Sequence, residues 1–243
     1  MCGRYASSAE VDELVEEFGV VEVAEGVPGP SWNVAPTDVV RAVVERHDVR
    51  SLVPMRWGLV PSWAKDTRGG ARLINARAET AGDKPSFRSA YLRRRCLVPA
   101  DGFYEWEKVG SGRRPWFIHR TDGRPLAMAG LWEVWFDDRL ATDDPARVLV
   151  TCTLLTTAAT DELGRIHDRM PVTVRPEVYD AWLDRDLQDR EQIAGLLTGD
   201  PGAGITGHPV SAAVGKVSNN TPDLVAPLPV DDEAPADDEG QGE

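Results

Sequence analysis

The sequence predicts an α+β fold, a single β-rich domain with a few peripheral helices. Segments of strand-like composition outnumber helical ones along the 243 residues, and they do not alternate with helices as in a parallel βαβ sheet. Hydrophobic residues make up 42% of the chain, which allows a sizeable core. No apolar run approaches the roughly 18 residues of a membrane helix, so we expect no membrane partner.

The first predicted element is a helix near the amino terminus. Ser7 and Glu10 have the spacing of a capping box, and apolar side chains then recur at helical intervals from Val11 to Phe18. Gly19 follows directly, at the position where a glycine ends many helices. The Pro- and Gly-rich residues 24–37 predict a loop.

The middle of the chain predicts a series of β-strands, followed by two helices. Apolar and β-branched runs bounded by turn-forming residues predict strands at 39–44, 49–53, 95–106, 115–120, 126–135 and 147–153. A Trp- and Gly-rich loop is expected at 57–70, and helices are expected at 176–183 and 190–197. We place the domain at 1–222 and expect the acidic tail, 223–243, to be disordered.

Charge is distributed unevenly along the chain. The net charge of −13, taken alone, argues against a nucleic-acid partner. However, residues 1–120 carry 18 basic and 16 acidic side chains, whereas 231–243 carry seven acids and no bases. The first half can therefore form a basic groove on a protein that is acidic overall.

The three cysteines, Cys2, Cys96 and Cys152, are widely separated. This spacing matches neither a disulfide framework nor a metal box, and we predict no metal and no cofactor. Cys96 and Cys152 are expected to be small buried residues. The amino terminus lacks the basic start and apolar run of a secretory signal, so a cytoplasmic protein is expected.

Cys2 directly follows the initiator methionine, whose removal would leave an N-terminal cysteine. Its α-amine (pKa about 7.7–8.0) and its thiol (pKa about 8.5) would both be partly nucleophilic near neutral pH. The amine can condense with an aldehyde to an imine, and the thiolate can then close a five-membered thiazolidine on the same carbon. Two alternatives are a small apolar residue and the nucleophile of an N-terminal hydrolase whose α-amine serves as base.

Eight short segments occur in a fixed order along the chain. They are CGRY at 2–5, WNVAPT at 32–37, RWGLVPSW at 56–63, INARAET at 74–80, RCLVPADGFYEW at 95–106, AGLW at 129–132, IHDRMP at 166–171 and HPV at 208–210. Together they resemble the SOS response-associated peptidase (SRAP) family, the abasic-site shielding proteins.

The resemblance implies a function in the DNA damage response. After removal of Met1, the N-terminal cysteine would form a covalent thiazolidine crosslink with abasic sites in single-stranded DNA and so shield the lesion. The implied activity is thiol autopeptidase or lyase-like, with crosslinking rather than repeated turnover. The implied partner is single-stranded DNA containing abasic sites, bound by a monomer that associates with the nucleoid when it acts on DNA.

The resemblance also assigns four catalytic positions. Cys2 matches the crosslinking residue, Asn75 the amide that positions it, Glu105 the catalytic glutamate and His167 the active-site histidine. A carboxyl whose pKa is raised by burial can move the proton that opens the sugar ring, and a histidine titrates in the right range. Without the resemblance, Glu105 could be an exposed strand residue, Asn75 could cap a turn and His167 could be structural.

Four further positions are implied in DNA binding. Arg4 and Arg77 match phosphate contacts, Asn33 lies in the segment near the flanking nucleotides, and Trp63 matches an aromatic side chain near the lesion. Stacking on an exposed base is worth about 1–3 kcal/mol. The alternatives are core packing for Trp63, and solvation or a salt bridge with a neighbour such as Glu79 for the arginines.

Two rival functions fit parts of the sequence. A thiol peptidase acting in trans would cleave peptides without DNA and would depend on Cys2. A non-covalent reader of damaged or modified DNA would use Arg4, Arg77 and Trp63, and its salt-sensitive binding would survive the loss of Cys2.

Overall fold

A computed structural model describes residues 2–159, 161–199 and 202–229 and confirms the α+β class. The strands are β1 (Tyr5–Ser7), β2 (Glu22–Val23), β3 (Ser31–Val34), β4 (Val39–Arg46), β5 (Val49–Trp57), β6 (Asn75–Arg77), β7 (Arg95–Ala100), β8 (Gly102–Val109), β9 (Gly112–Arg120), β10 (Leu126–Phe136), β11 (Val148–Ala158), β12 (Arg169–Pro171) and β13 (Ile205–Pro209). The α-helices are α1 (Val11–Phe18), α2 (Ala78–Ala81), α3 (Arg88–Arg93), α4 (Asp161–Gly164), α5 (Tyr179–Leu183) and α6 (Arg190–Leu196). Short 3-10 helices lie at Gly70–Arg72, Pro145–Arg147, Pro176–Val178, Ala212–Gly215 and Pro222–Val225.

The larger sheet closes into a barrel. Its strands follow the order β11, β10, β7, β4 and β5, and β5 then pairs in parallel with β11, where Cys152 lies opposite Trp57. Strand β6 continues along the same edge of β11, with Asn75 opposite Leu154. The edge of β11 that pairs with β5 and β6 is called here the barrel seam. The chain between β5 and β6 therefore brings Asn75 to this seam.

A second sheet has the strand order β13, β9, β8, β1 and β3. Strand β1 lies between β3 and β8, with Tyr5 opposite both Val34 and Phe103. Residues 5–7 are consequently held inside a sheet rather than at its edge. Backbone pairing on both sides fixes this strand, which lies shortly after Cys2.

The two faces of this five-stranded sheet pack against different parts of the molecule, because successive side chains on a strand point to opposite faces. The inner face carries Tyr5, Phe103 and Ile118, which belong to the same apolar cluster as Cys2. The outer face carries Ala6, Tyr104 and Phe117. It is covered by residues 209–228, called here the C-terminal strap, which contribute Val210, Val214 and Leu224.

Several local predictions are confirmed, with a changed boundary at the first helix. Helix α1 begins at Val11, and Glu13 accepts a hydrogen bond from the backbone N–H of Glu10 at 2.9 Å. Gly19 ends the helix with a φ of +63°, which glycine adopts without strain. Ser7 belongs to β1, so the predicted capping role of Ser7 is wrong.

The single strand predicted at 95–106 is two strands in different sheets. The chain turns at Asp101, whose N–H donates to the Ala6 carbonyl at 2.8 Å and whose carboxylate accepts from the backbone N–H of Ser8 at 2.5 Å. Gly102 follows because a Cβ there would lie 2.5 Å from the Ile118 oxygen. The predicted loop at 24–37 was also wrong in part, since it contains β3.

The packed region extends beyond the predicted boundary at residue 222. Pro222–Val225 form a 3-10 helix, and Leu224 is buried in the outer-face cluster. Order therefore continues into residues 223–229, contrary to the prediction, while the rest of the acidic tail lies outside the described residues. Within the described ranges, no helix is both long and apolar enough to cross a membrane.

Candidate active site

Cys2 lies just before β1, at the inner face of the five-stranded sheet, and is fully buried. Its Sγ lies 3.8 Å from the Arg4 carbonyl oxygen. Burial, and secondly the negative charge of Glu105, raise the pKa of the Cys2 thiol. The thiol is therefore neutral at physiological pH, unlike the partly ionised group expected from the sequence. A nucleophilic role requires a base beside it.

Asn75 fixes the backbone of Cys2. Its Nδ2 donates a hydrogen bond to the Cys2 carbonyl oxygen at 2.7 Å. This bond follows from the pairing of β6 with β11, which places Asn75 at the barrel seam. The Asn75 Oδ1 is buried and has no hydrogen-bond partner among the described residues. Asn75 thus binds the Cys2 carbonyl through its Nδ2. Its Oδ1 can accept a further hydrogen bond at the same site.

Glu105 lies on the inner face of β8 and is only 4% exposed. The alternative that it is an exposed strand residue is therefore wrong. Burial raises the pKa of the Glu105 carboxyl, and the nearby His167 opposes part of this shift. A carboxyl in this environment can hold its proton at higher pH than usual and release it to a neighbouring group. The negative charge of Glu105 also raises the pKa of the Cys2 thiol.

His167 lies beside Glu105, and both line one narrow cavity. The His167 Nδ1 is 2.8 Å from the Asp168 Oδ1, and it also accepts a hydrogen bond from the Arg169 backbone N–H at 3.0 Å. The first contact requires a proton on Nδ1, and the second requires a bare nitrogen. The contacts at Nδ1 can thus accommodate either tautomer of the ring.

No role was predicted from the sequence for the two residues that follow His167, namely Asp168 and Arg169. Asp168 contacts the His167 ring, and Arg169 lines the cavity itself. The Arg169 guanidinium forms a two-pronged ion pair with Glu79, at 2.8 and 2.9 Å. The Arg169 hydrogen bonds are the main cause that lowers the pKa of Glu79. The segment IHDRMP already contained both residues, but the sequence gave no reason to separate their roles from that of His167.

Arg4 and Asn33, both predicted to contact DNA, bond to each other. The Arg4 Nη1 donates to the Asn33 Oδ1 at 2.7 Å and to the Val214 carbonyl oxygen at 2.8 Å. Asn33 is buried, and its Nδ2 donates to carbonyl oxygens of the C-terminal strap, the shortest to Asn219 at 2.7 Å. The side chains of Arg4 and Asn33 therefore lie on the outer face of the sheet.

Trp63 and Arg77, in contrast, are exposed. The Trp63 side chain is 67% exposed, which excludes core packing. Arg77 is exposed at the end of β6, two residues from Asn75. Glu79 forms its ion pair with Arg169 and only lies near Arg77, whose charge lowers the pKa of Glu79 further. Both side chains are therefore accessible from solvent.

The remaining candidates have structural surroundings. Cys96 and Cys152 are fully buried, as predicted. Arg95 is also buried, and it donates to several backbone carbonyls, including that of Trp182 at 2.6 Å. Burial lowers the pKa of Arg95 to about 10. Across the described ranges, no group of three or more His, Cys, Asp or Glu side chains is arranged to hold a metal ion.

Comparison with known proteins gives consistent matches. A family model described as SOS response associated peptidase (SRAP) matches residues 1–217. The abasic site processing protein YoqW of Bacillus subtilis is 36% identical over 227 residues, which cover 93% of this chain and 99% of that protein. The abasic site processing protein YedK of Escherichia coli is 34% identical over 234 residues, with coverages of 94% and 100%. A crystal structure of a protein from Bacteroides thetaiotaomicron superposes with a TM-score of 0.82 at 25% identity, covering 93% of this chain and all of the other.

Proposed function

The chain belongs to the SOS response associated peptidase (SRAP) family, and on this premise we propose that it processes abasic sites in single-stranded DNA by a covalent thiazolidine crosslink through Cys2. The membership confirms the resemblance drawn from the sequence segments. The observation that carries the proposal is the hydrogen bond from Asn75 to the Cys2 carbonyl, which holds the first residue beside buried Glu105. Met1 must first be removed, since it blocks the amine.

The first step opens the sugar ring. An abasic deoxyribose is mostly a closed hemiacetal, so its O4′ must gain a proton while its C1′ hydroxyl loses one. Glu105, whose pKa is raised by burial, donates to O4′, and His167 accepts from the hydroxyl through Nε2. Asp168 supports this role because its Oδ1, 2.8 Å from Nδ1, favours the tautomer with the proton on Nδ1 and the accepting lone pair on Nε2.

The second step joins the amine of Cys2 to the sugar. The α-amine adds to the C1′ aldehyde and gives a carbinolamine. Protonated His167 returns its proton to the departing hydroxyl, which leaves as water, and an iminium remains. The buried Asn75 Oδ1, which lacks a partner among the described residues, is suited to accept a hydrogen bond from the amine during this step.

The third step closes the ring. The thiol is neutral because burial raises its pKa, and Glu105, now a carboxylate, takes its proton. The thiolate then adds to the iminium carbon, which gives a neutral thiazolidine. Glu105 and His167 return to their starting protonation states, so protons balance over the three steps. Exposed Trp63 and Arg77 are proposed to hold the neighbouring base and phosphate.

The test uses purified protein whose intact mass shows that Met1 is absent. Mixed with a single-stranded oligonucleotide containing one abasic site, it should give a shifted band on a denaturing gel. Mass spectrometry of the adduct should place the sugar on residue 2, and Cys2→Ala should give no band. A processed, folded protein that forms no covalent adduct would overturn the proposal. Retained salt-sensitive binding by such a protein would instead favour the non-covalent reader.

A further inference from the structure

Arg4 connects the amino terminus to the C-terminal strap. One nitrogen, Nη1, donates both to the Val214 carbonyl oxygen of the strap and to the Asn33 Oδ1. The guanidinium also lies over the Trp106 ring, 6.0 Å from its centre. Burial is the main cause that lowers the pKa of Arg4. The side chain is thus used within the protein on the outer face of the sheet.

Asn33, which accepts a hydrogen bond from Arg4, is itself bonded to the C-terminal strap. The Asn33 Nδ2 donates to three strap carbonyls, those of Val214, Lys216 and Asn219. The strap is joined to β3 at a second point, where the Asn220 Oδ1 accepts from the Trp32 backbone N–H at 2.7 Å. The two acceptors of Arg4, the Asn33 Oδ1 and the Val214 carbonyl oxygen, are therefore held in place by further hydrogen bonds.

The backbone of Arg4 reaches Cys2 from the other direction. The Arg4 carbonyl accepts the Tyr104 backbone N–H at 2.9 Å and lies within reach of the Cys2 thiol. On the far side of Cys2, Asn75 holds the Cys2 carbonyl at 2.7 Å. Cys2 is consequently held between two tethers, Asn75 in the barrel and Arg4 on the strap.

We propose that Arg4 is a positioning residue. Together with Asn33 and the C-terminal strap, it fixes the position of the Cys2 amine and thiol, rather than binding a DNA phosphate. This inference rests on the proposed function of the same site. Both hydrogens of the Arg4 Nη1 are bonded inside the protein and its Nε is buried, so three of the five guanidinium N–H groups face the protein rather than a ligand. Arg77 is the exposed arginine beside the site and serves as the matched comparison.

The first experiment separates affinity from reaction. In a Cys2→Ala background, Arg4→Gln should change the dissociation constant for an abasic oligonucleotide less than 2-fold and leave its salt dependence unchanged. With Cys2 present, the first-order crosslinking rate at saturating oligonucleotide should fall about 10- to 100-fold, as expected for a misplaced nucleophile. Arg77→Gln, at the arginine proposed to hold a phosphate, should instead weaken binding and lower the salt slope by about 1.

A second experiment removes DNA altogether. Met-processed protein is treated with glycolaldehyde, and thiazolidine formation at residue 2 is followed by intact mass. The amine and aldehyde lose one water, and the thiol adds across the resulting C=N bond. Arg4→Gln should slow this reaction about 10-fold, whereas Arg113→Gln, at an exposed arginine of β9, should leave it unchanged. Asn33→Ala, which keeps the Arg4 charge but removes its acceptor, should act like Arg4→Gln.

The outcomes distinguish this proposal from the proposed function. If the unaltered protein crosslinks DNA but Arg4→Gln loses affinity and salt dependence at an unchanged saturating rate, Arg4 is a phosphate contact and only the positioning role fails. Equal glycolaldehyde rates in folded Arg4→Gln, Asn33→Ala and the unaltered protein would also overturn it. If neither variant folds, the contact serves folding rather than positioning, and the inference is wrong. If the unaltered protein forms no crosslink, the proposed function itself fails.

Discussion

The two faces of the five-stranded sheet are built from the same strands but differ in the kind of side chains that they bury. On the inner face, Glu105 is buried with a raised pKa, and burial holds the Cys2 thiol neutral. On the outer face, apolar side chains pack against the strap, and the buried Tyr104 hydroxyl donates to the Trp32 carbonyl at 2.7 Å. The inner face buries ionisable groups beside Cys2, whereas the outer face is covered mainly by apolar side chains of the strap.

This difference assigns separate tasks to alternate residues of one strand. Tyr104 and Glu105 are neighbours on β8, yet the first supports the fold and the second is the candidate proton carrier. A site that holds an ionisable group away from water is destabilising, and the surrounding packing must offset it. We therefore expect outer-face substitutions to lower stability, and inner-face substitutions to remove activity while sparing or raising stability.

The largest expected effect tests the outer face. Leu224 is 3% exposed within the strap, and Leu224→Ala should lower the free energy of unfolding by about 2–5 kcal/mol, because it leaves a cavity. Urea unfolding of the full chain measures this change. Leu228 lies in the same strap but is 43% exposed, so Leu228→Ala is the matched control, with an expected loss of about 0.5 kcal/mol or less. Equal losses would show that the strap does not stabilise the sheet by burial.

The second effect concerns activity on the inner face. Asn75→Ala removes the hydrogen bond to the Cys2 carbonyl and the nearby accepting oxygen. The crosslinking rate at saturating abasic oligonucleotide should fall about 100-fold, while the melting temperature changes little. A denaturing-gel time course gives the rate, and calorimetry gives the melting temperature. A rate within 2-fold of the unaltered protein would contradict the assigned role.

The third effect is a gain in stability with a loss of function. Because the folded pKa of Glu105 is raised, its stabilising contribution is present at low pH and is lost as pH rises through that pKa. Glu105→Gln should therefore raise the melting temperature at pH 8 by at least about 2 °C, with little change near pH 4. Crosslinking should fall sharply at both pH values. A melting temperature that drops at pH 8 would show that the carboxylate is stabilising.

Local signals predicted those elements whose determinants lie close together in the sequence. Helix α1 and its end at Gly19 follow from spacing and glycine conformation within ten residues. Strands β1 and β6 have three residues each and exist through distant pairing, as between Asn75 and Leu154. No local pattern marks such strands, because their stability comes from the partner rather than from their own propensity.

The same contrast between local and distant determinants applies to the candidate active site. The four catalytic candidates come from the family resemblance, and the structure gathers them through β1, β6, β8 and the segment before β12. The surroundings of the arginines could not be predicted. Arg4 and Arg95 both donate to backbone carbonyls of distant segments, whereas Arg77 is exposed. Sequence shows charge but not which carbonyl groups the fold will place around it.

The smallest expected effect sharpens the comparison between the two points that join the strap to the sheet. Asn220→Ala removes hydrogen bonds to the Trp32 N–H and the Ser31 hydroxyl, so it should cost about 1 kcal/mol, or roughly 2–4 °C in melting temperature. The Arg4 contacts remain in place, and the glycolaldehyde reaction at Cys2 should change less than 2-fold. If Asn220→Ala slowed that reaction as much as Arg4→Gln, order along the whole strap, rather than the Arg4 contact, would set the position of Cys2. The rate of the reaction on the inner face would then depend on the overall stability of the outer face. Outer-face and inner-face residues would no longer have separate roles in stability and reaction.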